Sequence, residues 1–144
     1  MTLFIDTDVL LDLILAREAF VADAAALLAL VEYGRAEAVI GAGAVTTIHY
    51  LVRRALGGGA ANEAVDRLLR IARTAPVTHA VLQAALQLKW SDFEDAVAHE
   101  AAVAAGAQVL VTRNARHFRE AALPICSPRE AIGMIEGRSG GGSG

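Results

Sequence analysis

Short, purely apolar runs alternate along the chain with longer stretches in which apolar residues recur every three or four positions. The runs Leu3–Ile5, Ala38–Ile40 and Val109–Val111 contain no polar residue and predict three buried β-strands. The stretches between them have the spacing of amphipathic helices. This alternation favours an α/β fold with a parallel sheet that is covered on both faces.

Seven helices are expected from the same pattern, at about residues 9–14, 20–33, 44–56, 60–73, 78–86, 91–105 and from 127 onward. Thr7 or Asp8 is placed to cap the first helix. Ser91, with Glu94 three residues later, forms the pattern of a capping box. Gly34 and Gly106 predict the ends of the second and sixth helices.

The length of 144 residues and the hydrophobic fraction of 55% fit one domain with a packed core. We expect this domain to span residues 1–136. Residues 137–144 are mainly Gly and Ser and are expected to form a flexible tail that was added to the domain.

Charge and cysteine content exclude some classes of function. A net charge of −3 argues against a protein that coats nucleic acid by bulk charge. The single cysteine, Cys126, permits neither an internal disulfide nor a zinc site built on thiolates. The sequence has no signal-peptide pattern and no apolar run of membrane-spanning length. We therefore expect a cytoplasmic protein with no membrane association.

Acidic and amide side chains stand where the predicted sheet would bind a ligand. Asp6 follows the first strand and Asn114 follows the last long strand, whereas Asp92 and Asp95 share one face at the start of the intervening helix. Ligands bind at the carboxyl ends of parallel strands, so these four side chains should converge there. Converging carboxylates favour a bound cation, and oxygen ligands suit Mg²⁺ or Mn²⁺. Stabilisation of the helix dipole is the simpler explanation for Asp92 alone.

Several segments resemble the PIN domain ribonucleases. The resemblance covers about residues 2–135 and is carried by Phe4–Asp12, Thr46–Leu51, Asp92–Ala96, Val111–Asn114 and Phe118. Each segment is short, but their order and their placement at strand ends are specific in combination. The resemblance implies a three-layer α/β/α sandwich with a central, mostly parallel sheet. It also implies a Mg²⁺- or Mn²⁺-dependent endoribonuclease that cuts single-stranded RNA.

The same resemblance implies roles for individual residues. Asp6 and Asp95 match metal-binding acids of the family, and Asp92 is an additional acid one turn earlier. Asn114 stands where many members have Asp and is expected to orient water. Thr47 stands about where many members have Glu and is expected to hydrogen-bond in the same pocket. These two departures remove two negative charges from the site.

Further implications concern substrate and partners. Three residues are expected to contact RNA: Thr7, Arg53 and Arg113. Trp90 would either stack on a base or belong to the core. Bacterial members of the family are often toxins, so a cognate antitoxin is an expected partner. A homodimer is expected as well, because a domain rich in Ala and Leu exposes an apolar helix face.

Three other functions are compatible with parts of the sequence. A PIN-like protein that binds RNA or a partner without catalysis would explain Thr47 and Asn114. The start Asp6-Thr7-Asp8 is similar to that of haloacid-dehalogenase-type phosphatases, but the only lysine, Lys89, lies in an unrelated context. The segment 41–46 is similar to a dinucleotide-binding turn, although Thr46 replaces its third glycine.

Overall fold

A central sheet of five strands forms the middle layer of the computed structural model, which describes residues 1–141. The strands are β1 (Thr2–Ile5), β2 (Glu37–Gly41), β3 (Ala72–Ala75), β4 (Val109–Val111) and β5 (Ile125–Cys126). Their order is β3-β2-β1-β4-β5, and every neighbouring pair is parallel. The first strand of the chain therefore lies in the middle of the sheet.

Seven α-helices and one short 3₁₀ helix connect the strands within the described part of the chain. The α-helices are α1 (Thr7–Ile14), α2 (Val21–Glu32), α3 (Ala42–Leu56), α4 (Gly58–Ile71), α5 (His79–Leu88), α6 (Phe93–Ala104) and α7 (Pro128–Gly141). The 3₁₀ helix spans Ala115–Phe118 and follows β4. No helix among the described residues is both long and apolar enough to span a membrane.

The two faces of the sheet are buried against different helices. Leu3 and Ile5 of β1 pack with the core under α1–α4 and α7, whereas Phe4 packs on the opposite face with residues of α5 and α6. Successive side chains of a strand point to opposite faces, so a strand without polar residues must be covered twice. The expected three-layer α/β/α sandwich is confirmed.

Two strands were not predicted from the sequence. β3 has buried alanines at its ends and exposed Arg73 and Thr74 between them, so it lacks an apolar run. The helix expected over residues 60–73 ends at Ile71 for this reason. β5 has only two residues. Both are edge strands. β3 is held in extended conformation by pairing with β2, and β5 by pairing with β4, more than by their own composition.

The caps of two helices differ from those expected. Asp6, not Thr7 or Asp8, caps α1 and accepts a hydrogen bond from the backbone N–H of Thr7. Asp92, not Ser91, caps α6 and accepts from the N–H of Asp95. Aspartate is as good an N-cap as serine, and each helix begins directly after its aspartate.

The ends of other helices agree with the sequence. Gly34 and Gly106 follow α2 and α6 with φ values of +77° each. Helix α7 extends through Gly141, so residues 137–141 of the expected flexible tail are helical. Its first turns pack on the core through Ala131 and Ile135. Residues 142–144 of that tail lie outside the described residues.

Candidate metal centre

The carboxylate of Asp6 connects the ends of two neighbouring strands. Asp6 directly follows β1, and its backbone N–H donates to the carbonyl of Val111 in β4. One carboxylate oxygen accepts from the N–H of Thr7, and the other accepts from the hydroxyl of Thr112, at 2.9 Å each. The side chain is thereby fixed at the carboxyl end of the sheet.

The surroundings of Asp6 disfavour its negative charge. Burial raises the pKa of this carboxyl group, and the nearby charges of Asp8 and Glu94 raise it further. The hydrogen bonds from Thr112 and Thr7 act in the opposite direction without cancelling the effect. A cation beside Asp6 would remove this penalty.

Asp95 is the second crowded carboxylate. It lies in the first turn of α6, and burial together with the charges of Asp92 and Asp6 raises its pKa to about 6. Asp6 and Asp95 line one cleft, and carboxylate oxygens of Asp92 and Asp95 lie within 4.8 Å of each other. Of the four side chains expected to converge, these three lie at one site, whereas the Asn114 side chain contacts Asp8.

His117 is a site residue that the sequence analysis missed. Its Nδ1 atom lies 3.0 Å from Oδ2 of Asp95. Potential ligand atoms of Asp92, Asp95 and His117 lie within 4.8 Å of one another. An isolated histidine does not by itself indicate a site. The position of His117, three residues after Asn114 and close to the end of a strand, is a signal that could have identified it.

A cleft opens beside these acids. It has a volume of about 380 Å³ and is lined by Asp6, Thr7, Thr47 and Asp95 among apolar side chains such as Phe4 and Phe93. Gly41 ends β2 and immediately precedes α3, which places Thr47 on the wall opposite α6. Thr47 and Thr7 thus share a pocket with the two principal acids.

Asn114 forms a pair with Asp8 at the edge of the site. Its Nδ2 atom donates to Oδ2 of Asp8 over 3.3 Å. A carboxylate only accepts hydrogen bonds, so the amide must present its NH₂ group to Asp8. The carbonyl oxygen of Asn114 remains as the acceptor that can serve water or a ligand. Two carboxylates at these positions would repel each other.

Arg113 has a structural role that the sequence did not reveal. Its guanidinium donates to both oxygens of Asp12, at 2.9 and 3.4 Å, and stacks over the ring of Phe20. Arg17 also pairs with Asp12, at 3.2 Å. Asp12 is only 2% exposed, so these arginines neutralise a buried charge and tie α1 to the segment after β4. An RNA contact by Arg113 stays a prediction.

Arg53, Trp90 and Lys89 lie away from the cleft. Arg53 is exposed in the last turn of α3, almost two helical turns or about 9 Å beyond Thr47. The ring of Trp90 packs against His99 and Phe118, which favours the core assignment. Lys89 is exposed at the C-cap of α5 and is not among the residues that line the cleft.

The chain is similar to a known protein family. The model of the PIN domain family matches residues 2–116. No curated protein sequence matches the chain.

Two solved structures of similar fold cover most of the chain. VapBC2 from Rickettsia felis, solved with a DNA fragment from the promoter, is similar with 15% identity and a TM-score of 0.65, covering 88% of this chain and 98% of that one. Mycobacterium tuberculosis VapC20, described as a toxin that cleaves the sarcin-ricin loop, has 20% identity and a TM-score of 0.61. That comparison covers 75% of this chain and 86% of the other.

Proposed function

Because the chain belongs to the PIN domain family, we propose that it is a metal-dependent endoribonuclease that cuts single-stranded RNA. One observation carries the proposal: Asp6 and Asp95 line the same cleft, and the charge of Asp6 helps to raise the pKa of Asp95. Acids arranged in this way are costly for the fold unless a ligand uses them.

The donor set fits a divalent cation. Asp6 and Asp95 line one cleft, and carboxylate oxygens of Asp92 and Asp95 lie within 4.8 Å of each other. These three residues would hold Mg²⁺ or Mn²⁺ through oxygen atoms, which are the ligands that such ions prefer. A bound ion would supply activation of water and stabilisation of charge on the phosphate. Thr112 and the N–H of Thr7 hold the Asp6 carboxylate in one orientation for this task. The amide oxygen of Asn114 would orient water.

The shape of the cleft is compatible with a nucleic-acid strand. Apolar and aromatic walls stand beside the acids, and Phe93 is exposed at the cleft. Base stacking on an aromatic ring tolerates any sequence. Thr7 and Thr47 would hydrogen-bond to the RNA backbone within the pocket. Arg53 and Arg113 remain predicted contacts to the RNA strand outside the cleft.

We propose that the protein is the toxin of a toxin–antitoxin pair and acts in the cytoplasm. The support is similarity of fold to VapC20, whose description names it a toxin that cleaves the sarcin-ricin loop, and to VapBC2. A cognate antitoxin and a second copy of the chain would then be its protein partners.

Cleavage of a mixed single-stranded RNA tests the proposal. The wild-type chain should cut in Mn²⁺ or Mg²⁺ and not in EDTA. Asp6→Asn and Asp95→Asn should each lose nearly all cleavage and most of the metal-induced rise in melting temperature. Asp92→Asn should lose less. Asp66→Asn is the matched control, because Asp66 is exposed on α4 and pairs only with Arg70 among the contacts described. Equal cleavage by wild type and Asp95→Asn would refute the assignment.

A protein that binds RNA or a partner without cutting is the second candidate. It is favoured by Thr47, which brings a hydroxyl and no carboxylate to the α3 wall of the cleft. A metal titration with and without RNA separates the two functions. The nuclease requires metal-dependent loss of intact RNA, whereas the binding protein retains intact RNA at every metal concentration.

A further inference from the structure

We propose that the hydrogen bond between His99 and Ala122 is a pH-sensitive switch, which holds residues 119–124 against α6 while the imidazole is neutral and releases them when it is protonated. The switch uses a buried group that has no part in the proposed nuclease. Residues 119–124 lie between the 3₁₀ helix and β5 and form neither helix nor strand. Their position therefore depends on contacts with other elements.

The two ring nitrogens of His99 have opposite hydrogen-bonding roles. The backbone N–H of Ala122 lies 3.0 Å from Nε2. A backbone N–H can only donate, so Nε2 must accept and carries no proton. The proton of the neutral ring is then on Nδ1, which donates to Oε1 of Glu100 at 3.2 Å. These two contacts select one neutral tautomer of the imidazole.

The imidazole is buried and packs on an aromatic side chain. His99 is only 2% exposed, and the centroid of its ring lies 5.1 Å from that of Trp90. Trp90 in turn contacts the buried ring of Phe118 edge-on at 5.8 Å, and Phe118 ends the 3₁₀ helix. His99 therefore sits where α6 meets the segment that follows β4. A polar group at such a position is stabilised only while its hydrogen bonds are made.

Protonation would break one of these hydrogen bonds and strengthen the other. A proton on Nε2 turns that atom into a donor that faces the N–H of Ala122, so the contact becomes repulsive. The carboxylate of Glu100, beside Nδ1, would attract the imidazolium. The ring thus exchanges its contact with Ala122 for a stronger pairing with Glu100 within α6.

Glu100 is the charged side chain that contacts the ring among the interactions described. Trp90 and Ala122 bring no charge to it. Arg73 of β3 donates to the carbonyl of Ala105, at the far end of α6. The other charged residues on the segments next to the ring are exposed and form no ion pair within the described part of the chain: Lys89, Arg119 and Glu120.

The switch lies one helical turn from the acidic cleft. His99 follows Asp95 by four residues, so the two side chains share a face of α6. Asp95 contacts His117, and His99 contacts Ala122 five residues further along. Protonation of His99 removes the second of these two polar contacts. We expect residues 119–124 to become mobile at acidic pH while the sheet stays folded.

Nuclear magnetic resonance of the full chain tests the switch. From about pH 8 to about pH 5, the interval in which histidine changes charge, the hydrogen-exchange protection factor of the Ala122 amide should fall about tenfold. The amide of Phe4, in the central strand, should keep its protection. The nitrogen-15 shifts of the His99 ring should show a proton on Nδ1 alone at the higher pH.

Two variants separate His99 from the other titrating groups. His99→Gln does not change charge over this interval, so the fall in Ala122 protection should vanish. His79→Gln is the matched control and should keep the fall, because His79 is exposed at the start of α5. Constant protection of Ala122 in wild type, an equal fall at Phe4, or a fall that persists in His99→Gln would overturn the switch. The measurements involve neither metal nor RNA, so their outcome is independent of the nuclease.

Discussion

At the scale of single residues, the site keeps ionisable carboxylates at positions where their negative charge destabilises the fold. Asp95 stands beside Asp92 and Asp6 in a half-buried position, and its raised pKa measures the penalty for ionising it there. The site thus keeps a carboxylate where a neutral side chain would be better tolerated, which is typical of functional positions.

This penalty predicts a pH dependence for the metal-free protein. The pKa of Asp95 rises from 3.8 in the unfolded chain to about 6, so its stabilising contribution is complete below 3.8 and lost as pH rises through 6. Asp92, Asp6 and His117 are the charged and titratable groups that act on it. In EDTA, the melting temperature of Asp95→Asn minus that of wild type should increase from pH 4 to pH 7. A constant difference would contradict the charge argument.

The buried pair of Asp12 with Arg113 gives a second prediction. Arg113→Ala should lower the free energy of unfolding by about 3 kcal/mol, because Arg17 alone cannot satisfy a buried carboxylate. Arg113→Lys should lower the free energy of unfolding less, since it keeps the charge although it loses the bidentate contact with Asp12. Arg116→Ala, exposed on the adjacent 3₁₀ helix, is the control and should change stability by no more than about 0.5 kcal/mol. Urea denaturation measures all three, and equal losses would refute the role.

At the scale of elements, the hydrophobic pattern predicted the strands whose own residues are apolar. β1, β2 and β4 are apolar runs covered on both faces, and the sequence located all three. β3 has two consecutive exposed residues between buried alanines, and β5 is too short to show a period, so pairing with neighbouring strands determines both. The acids were found because they follow strands or begin helices. His117 and Asp12 were not, because their importance depends on contacts 22 and 101 residues away in sequence.

The junction of α3 and α4 gives a prediction at this scale. Gly57 has φ +92° and ψ 167°, a region that is essentially open only to glycine. Gly57→Ala should destabilise the protein by about 1–3 kcal/mol. Gly59 lies in the first turn of α4 with open space around it, so Gly59→Ala should stabilise by about 0.5–1 kcal/mol. Thermal unfolding of both variants checks the contrast, and effects of the same sign would disprove it.

At the scale of the whole molecule, apolar side chains remain on the surface of the described residues. Leu82 and Leu86 lie one turn apart on α5, and Leu86 is 67% exposed. Leu56 is exposed at the far end of α3. Exposed apolar helix faces of this kind commonly mark contacts between protein chains.

The homodimer stays a prediction, and this surface suggests where its interface would lie. Light scattering at micromolar concentration should give about twice the chain mass of 15.0 kDa. Leu86→Glu should shift the population to monomer if α5 forms the interface, and Leu56→Glu is the matched change on α3. A wild-type mass of 15.0 kDa would reject the dimer.

β1 precedes the other four strands in the chain and lies at the centre of the sheet. β1 can pair with β2, and β2 with β3, early in translation, but the other neighbour of β1, β4, is synthesised much later. The hydroxyl that holds Asp6 belongs to Thr112, 106 residues further along the chain. A nascent chain that still lacks β4 therefore has its first acid without the partner that orients it. The orientation of Asp6 is therefore completed only after β4 and Thr112 have been synthesised.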